Sequence, residues 1–93
     1  MGNICHYHIK VNIEATGVPS YFIWNGKIYK IAFIEKSWKI DYKVLDKSGY
    51  KYYFRVKDIS QNTFEIAYDS LLDEWFLERI DPKIFLLTPQ PSL

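Results

Sequence analysis

Six residues near the middle of the chain, Lys39, Lys43, Lys51, Tyr53, Arg55 and Lys57, are of the types that hold a single-stranded nucleic acid. Cations that track a backbone neutralise its phosphates, and an aromatic ring among them offers a base a surface to stack on. All six share one side of two neighbouring strands if the pairing sets Asp41 beside Arg55 and Lys39 beside Lys57. Spacings of about 5 Å across and about 7 Å along such a ladder come close to the repeat of backbone phosphates. The competing description is a solvated sheet face, on which lysines discourage edge-to-edge pairing.

Other chemistries find less support. Cys5, His6 and His8 invite a metal, but a structural zinc uses four closed ligands and the sequence contains no further Cys or His. Both histidines lie in one strand, no Ser sits in a strand-to-helix elbow, and no Gly-rich loop could cradle a phosphate. No catalytic residue, metal ligand or cofactor is assigned, and a non-enzymatic role is expected. Asp69, Asp73, Glu74, Glu78 and Asp81 lack the spacing of a calcium loop and read as a solubilising acidic face. Trp24, Trp38 and Trp75 each sit in an alternating apolar pattern, which predicts core packing rather than a ligand cage.

The elements that would position these groups are strands. Tyr7, Ile9, Val11, Ile13 and Ala15 alternate with polar residues, the period of a half-buried strand. Asn25-Gly26 between two apolar runs is the strongest hairpin signal in the chain, because a type I′ turn needs φ above zero at both central residues. It sets Trp24 opposite Lys27, Phe22 opposite Tyr29 and Ser20 opposite Ile31, and the second strand is expected to run on through Ile34, with a bend or bulge at Glu35-Lys36-Ser37. Asp46-Lys47-Ser48-Gly49 suits a type I turn with Gly49 in the left-handed conformation of a bulge. That loop pairs Val44 with Tyr52, Tyr42 with Phe54 and Ile40 with Val56 on one apolar face. Thr63 to Tyr68 alternates again. Ser70 to Ile80 fits a helix or a strand, and a turn over Asp69 to Asp73 leading to a strand from Glu74 to Ile80 is preferred.

At 93 residues the chain is long enough to bury a core without a metal or disulfide staple. Six Phe, three Trp and eight Tyr suit flat, half-buried β surfaces. The single cysteine cannot form an internal disulfide, and no apolar run approaches the roughly 20 residues that span a bilayer, so a cytoplasmic setting with no membrane contact is expected. Net charge is +1, yet nine bases stand against three acids from Lys27 to Lys57, and Arg79 alone stands against seven acids from Asp58 to Asp81. The molecule is bipolar if those segments fold to different sides.

Pro19-x-x-Phe22-x-Trp24-x-Gly26-x-x-Tyr29, then Trp38, Tyr53-x-Arg55-Val56 and a closing Trp75-x-Leu77-x-x-Ile80-Asp81 form a recognisable cadence. Over Val18 to Asp81 the chain resembles an uncharacterised bacterial family of small single-domain proteins, known only as a domain of unknown function. It departs from that pattern where Lys39-Ile40-Asp41 follows Trp38 in place of a second Trp, and its bases are nearly all Lys. Some relatives occur alongside error-prone DNA polymerases, so the resemblance implies a DNA-linked role.

These readings predict one all-β domain over 1–93: a flexible N-terminus over 1–5, a core over 6–81 of five or six antiparallel strands in meander order, barrel-like or strongly bent, and a Pro-containing tail over 82–93. Ile84-Phe85-Leu86-Leu87 is expected to pack back on the core. The expected function is a binding or accessory module with a single-stranded nucleic acid as partner. The alternative is a protein–protein adaptor that uses the acidic 58–81 segment and the apolar tail.

Overall fold

Asn25 and Gly26 take φ of 52° and 74° in the computed structural model, which describes the backbone of residues 3–87 and the side chains of residues 4–84. They join β2 (Pro19–Trp24) to β3 (Lys27–Lys30) and set Trp24 against Lys27 and Phe22 against Tyr29, as a two-residue loop demands. The remaining strands are β1 (Asn3–Ile13), β4 (Phe33–Val44), β5 (Lys47–Lys57), β6 (Thr63–Asp69) and β7 (Glu74–Ile80). All seven lie in one sheet of order β3-β2-β1-β7-β6-β5-β4, and every pair is antiparallel.

The all-β, antiparallel class therefore holds, with seven strands in place of five or six. The order is not a simple meander, because β1 lies in the middle, between β2 and β7. Asn3 pairs with Ile80 and Ile4 with Arg79, so residues 3–5 are part of the sheet where a flexible N-terminus is expected.

The sheet curls. Tyr29 and Phe22 lie 5.5 Å and 5.4 Å from Phe64, ring to ring, although a flat sheet would separate β3 and β2 from β6 by four and three intervals of about 4.8 Å. The concave face holds the core of Ile9, Phe22, Trp24, Tyr29, Val56, Phe64, Ile66, Leu77 and Ile80. β3 ends at Lys30 rather than running on to Ile34. Its partner β2 begins at Pro19, which has no N–H to donate, and Ile31-Ala32 carries the chain from one sheet edge to the other. There the Ala32 N–H donates to the Lys57 carbonyl at 2.8 Å. No ladder joins β3 to β4 among the described residues, so the sheet stays open.

Two bulges reconcile sequence with face. Leu77 pairs with Ile66 and Ile80 with Phe64, so Glu78 is the extra residue of β7, and Glu78 and Arg79 both project from the convex face while Leu77 and Ile80 stay in the core. Glu35 interrupts β4 in the same way, between Ile34 opposite Val56 and Lys36 opposite Arg55. A bulge is expected near Glu35, but it falls inside β4 rather than before it. The strand over Glu74–Ile80 forms as expected, after a turn closed by Asp73 at φ 53°.

The β4–β5 register differs from the expected one. The turn is Leu45-Asp46, with Leu45 at φ 57°, and Val44 pairs with Lys47, Tyr42 with Gly49, Ile40 with Lys51 and Trp38 with Tyr53. Val44 thus meets Lys47 in place of Tyr52, a shift of five positions. Because five is odd, β4 presents the opposite set of side chains to each face of the sheet. Gly49 lies within β5, and a β-carbon there would overlap Leu71.

After β7 the chain forms α1 (Pro82–Leu87), a short helix in the segment read as an irregular tail. Asp81 caps it: one carboxylate oxygen accepts from the Lys83 N–H at 3.0 Å and the other from the Thr63 N–H at 3.2 Å, while Pro82 occupies the first helical position. Ile84 packs against the core as expected. The side chains of Phe85, Leu86 and Leu87, and residues 88–93 with Pro89 and Pro91, lie outside the described residues.

Candidate functional site

The inverted register divides the six expected site residues between two faces. Lys51, Tyr53, Arg55 and Lys57 project from the convex face, and Lys39 and Lys43 from the concave one, opposite Tyr52 and Ser48. On the convex face the cations are engaged. Arg55 Nε donates to Glu65 at 2.9 Å, and Arg79 Nε meets the other Glu65 oxygen at 3.3 Å. Lys51 lies 3.6 Å from Glu78, which also accepts from His6 at 2.6 Å. Lys57 donates to Thr63 at 3.0 Å and lies 4.0 Å from Glu35. Tyr53 is half-buried and stacks at 5.2 Å on Trp38, with the Lys36 ammonium and the Arg55 guanidinium over the Trp38 ring. Burial raises the Tyr53 phenol above its ordinary value, the nearby Lys51 opposing and Glu78 adding.

The acids from 58 to 81 are engaged too. Asp58 accepts from the N–H groups of Ser60 and Asn62. Glu65 holds two arginines, and Asp69 accepts from Tyr42 and from the N–H groups of Leu71 and Leu72. Tyr68 donates to Asp73 at 2.5 Å, His8 to Glu74 at 2.9 Å, and Glu78 and Asp81 are bound as described above. All seven have an intramolecular partner. Glu65, Asp69, Glu74 and Glu78 lie on the central strands β6 and β7, and Asp58, Asp73 and Asp81 in the connections at their ends, between a basic β4–β5 edge and the Lys27 and Lys30 of β3. The charge pattern is an acidic centre flanked by basic edges, not two opposed halves.

No group of three or more His, Cys, Asp or Glu among the described residues could hold a metal ion. His6 and His8 both turn toward β7, against the ring of Phe76 at 4.2 Å and 4.6 Å, and reach Glu78 and Glu74 of that strand. Cys5 donates its thiol to the Leu77 carbonyl at 3.3 Å, and burial, with Glu78 adding, pushes it up to about 12. Such a thiol is a poor nucleophile at neutral pH.

The concave face carries what the sequence reading missed. Where β4 and β5 extend past the core, an open cleft of about 750 Å³ lies between Ile13, Gly17 and Val18 on one side and Ile34 and Ser37 on the other, floored by Tyr50, Tyr52, Phe54, Tyr68 and Trp75. Its rings form a chain: Tyr52 to Phe54 at 5.1 Å, Phe54 to Trp75 at 6.0 Å, Trp75 to Tyr68 at 5.4 Å and Tyr68 to Tyr50 at 6.5 Å. Tyr50 and Tyr52 remain over a third exposed. The Lys39 ammonium lies 5.3 Å from the centre of the Tyr50 ring. Tyr50-x-Tyr52-x-Phe54 was visible as a period-two aromatic run. Only the true register shows that β4 leaves it uncovered.

Trp24 is core, as expected, and Trp75 joins the core to the cleft. Trp38 lies outside the core, on the convex face.

Fold and cleft together define a small, open, curled antiparallel β domain with an aromatic groove. The chain belongs to the family described as Domain of unknown function (DUF6504), whose model matches residues 5–82. The resemblance to an uncharacterised family, drawn over Val18 to Asp81, is supported in that respect, and the match reaches back to Cys5 and on to Pro82. No curated protein and no solved structure matches the chain. No helix among the described residues is long and apolar enough to cross a membrane.

Proposed function

We propose that the protein is a non-enzymatic binding module that lays a single-stranded nucleic acid along the concave cleft, with bases on Tyr50 and Tyr52 and phosphates beside Lys39 and Lys43. The observation that carries this reading is the chain of five aromatic rings in an open groove with an ammonium over one of them. Stacking tolerates any base, because every base has a π-face, and exposed rings on a sheet supply it. The lone Cys5 supports a reducing, cytoplasmic setting. A protein partner for the acidic segment has less support, since its carboxylates are occupied internally.

Among the described residues, β4 offers two cations on this face, Lys39 beside Tyr50 and Lys43 further along the strand, so stacking rather than phosphate neutralisation supplies most of the affinity. The salt dependence is then shallow, with a log–log slope of about −1.4 for two phosphates on a single strand. Fluorescence anisotropy with a labelled oligonucleotide tests this. Tyr52→Ala costs about 1–3 kcal/mol, and Tyr53→Ala, on the other face, leaves binding unchanged. Absence of binding at about 50 mM salt overturns the proposal. A steep slope with loss on Tyr53→Ala moves the site to the convex face.

A further inference from the structure

The two edges of the sheet are unequal. β3 is four residues long and has a lysine at each end, the usual protection of an edge. β4 is twelve residues long, and its outer side has no partner among the described residues. From Lys36, just past the bulge, to Val44, just before the turn, nine residues form an uninterrupted ladder with β5. Ile40 is the midpoint of that run and is half exposed.

Val44 and Lys47 flank a two-residue turn and so bond to each other, and the alternation of an antiparallel ladder then directs the N–H and C=O groups of Ser37, Lys39, Asp41 and Lys43 away from β5. We infer that this edge pairs with a second copy of itself, antiparallel, about a two-fold axis through Ile40. A two-fold axis normal to the sheet keeps each residue on its own face, so a residue meets only partners of its own parity. Five such registers centre within the run's middle. Centring on Lys39 or Asp41 stacks a like charge on itself. Centring on Trp38 or Tyr42 leaves about five residues paired before the bulge or the turn intervenes.

Centring on Ile40 pairs the whole run. Lys39 meets Asp41 of the second copy twice over on the concave face, and Trp38 meets Tyr42 twice over on the convex face. Ile40 meets its own copy at the axis. Opposite charges and aromatic pairs are the combinations that stabilise neighbouring strands. The residues with outward backbone groups oppose one another in the same register, for roughly eight hydrogen bonds between the chains. Lys39 and Asp41 already lie 3.7 Å apart within one chain, with side chains 51% and 79% exposed, so both can reach a second copy, Lys39 by turning away from the Tyr50 ring. Charge complementarity and symmetry thus point to a second copy of this chain rather than an unrelated strand. The two aromatic clefts then open on the same side of one continuous sheet.

Sedimentation equilibrium from about 10 μM to about 1 mM tests the pairing, a range suited to an interface of this small size. The wild-type chain is expected to dimerise. Lys39→Asp and Asp41→Lys, each at an exposed position, are each expected to weaken association about tenfold or more by opposing like charges twice. An equimolar mixture of those two variants restores the dimer, because the first then presents acids at both positions and the second presents lysines at both. The double exchange in one chain restores it as well. Circular dichroism confirms that each variant is folded. A wild-type chain monomeric over the whole range overturns the inference, as do single variants that associate like wild type or a mixture that stays monomeric.

Discussion

Tyr42 donates its phenolic proton to Asp69 at 2.5 Å, reaching from the edge strand β4 to β6 across the strand that lies between them. The ring can cross because its neighbour on β5 is Gly49, which has no side chain to block the path. The contact holds the long edge hairpin to the core sheet and raises the Tyr42 phenol above its ordinary value.

Asp69 is buried, and burial alone would raise its carboxyl. The hydrogen bonds from Tyr42, Leu72 and Leu71, with Lys51 nearby, outweigh that and hold it below the usual range. A native carboxyl that binds its proton less readily than the unfolded one contributes stability above the ordinary value near 4, lost as pH falls through the native one. Asp69→Asn is expected to cost about 1–3 kcal/mol at neutral pH, with the deficit shrinking below about pH 4. Urea denaturation across that range measures both.

Gly49→Ala drives a methyl group into Leu71, beside Ser70 Oγ, whose oxygen accepts from the Tyr50 N–H at 2.8 Å. Overpacking at this junction is expected to cost about 1–3 kcal/mol. Gly49→Ala combined with Leu71→Ala should recover part of the loss, and a double-mutant cycle by chemical denaturation measures the coupling.

Leu45 holds φ of 57° at a residue 94% exposed, so the left-handed backbone gains nothing from packing. Leu45→Gly removes steric strain of about 1 kcal/mol and should raise stability, offset in part by the flexibility glycine adds to the unfolded chain. A fall in the denaturation midpoint would show that the turn differs from the one described.

The Cys5 thiol, pushed up to about 12 by burial, keeps its proton in the native state at a pH where the unfolded chain loses it. Stability linked to this group is complete below about pH 8.5 and declines as pH rises beyond it. A thiol reagent at pH 8 should react with native Cys5 at least about a hundredfold more slowly than with the unfolded chain.

Where turn chemistry is restrictive, the sequence was legible. Asn25-Gly26 admits one loop, and the Phe22–Tyr29 pairing follows from it. At the second hairpin, Asp46 to Gly49 offers a favourable turn, while the real one puts Leu45 where no propensity would place it. Apolar alternation in β4 could not arbitrate. Trp38 and Tyr42 are satisfied on the convex face by Tyr53 and Asp69, so the apolar sets of β4 and β5 face opposite ways. The nucleic-acid face read from the sequence inherited that register, and the cleft was hidden by it. The placement of β1 was illegible for another reason: its partner β7 is some seventy residues away, and no local signal reports such a pairing.

That placement governs how the chain can be made. During synthesis β1 emerges first and finds β2 and β3 within a few residues, while β4, β5 and β6 assemble later as a second fragment. Neither fragment can complete the curl until β7 arrives to sit between β1 and β6. A nascent chain halted before Glu74 therefore exposes the facing borders of β1 and β6, eleven and seven residues long, that no short-range contact can cover, and the last of these strands to be made joins the first.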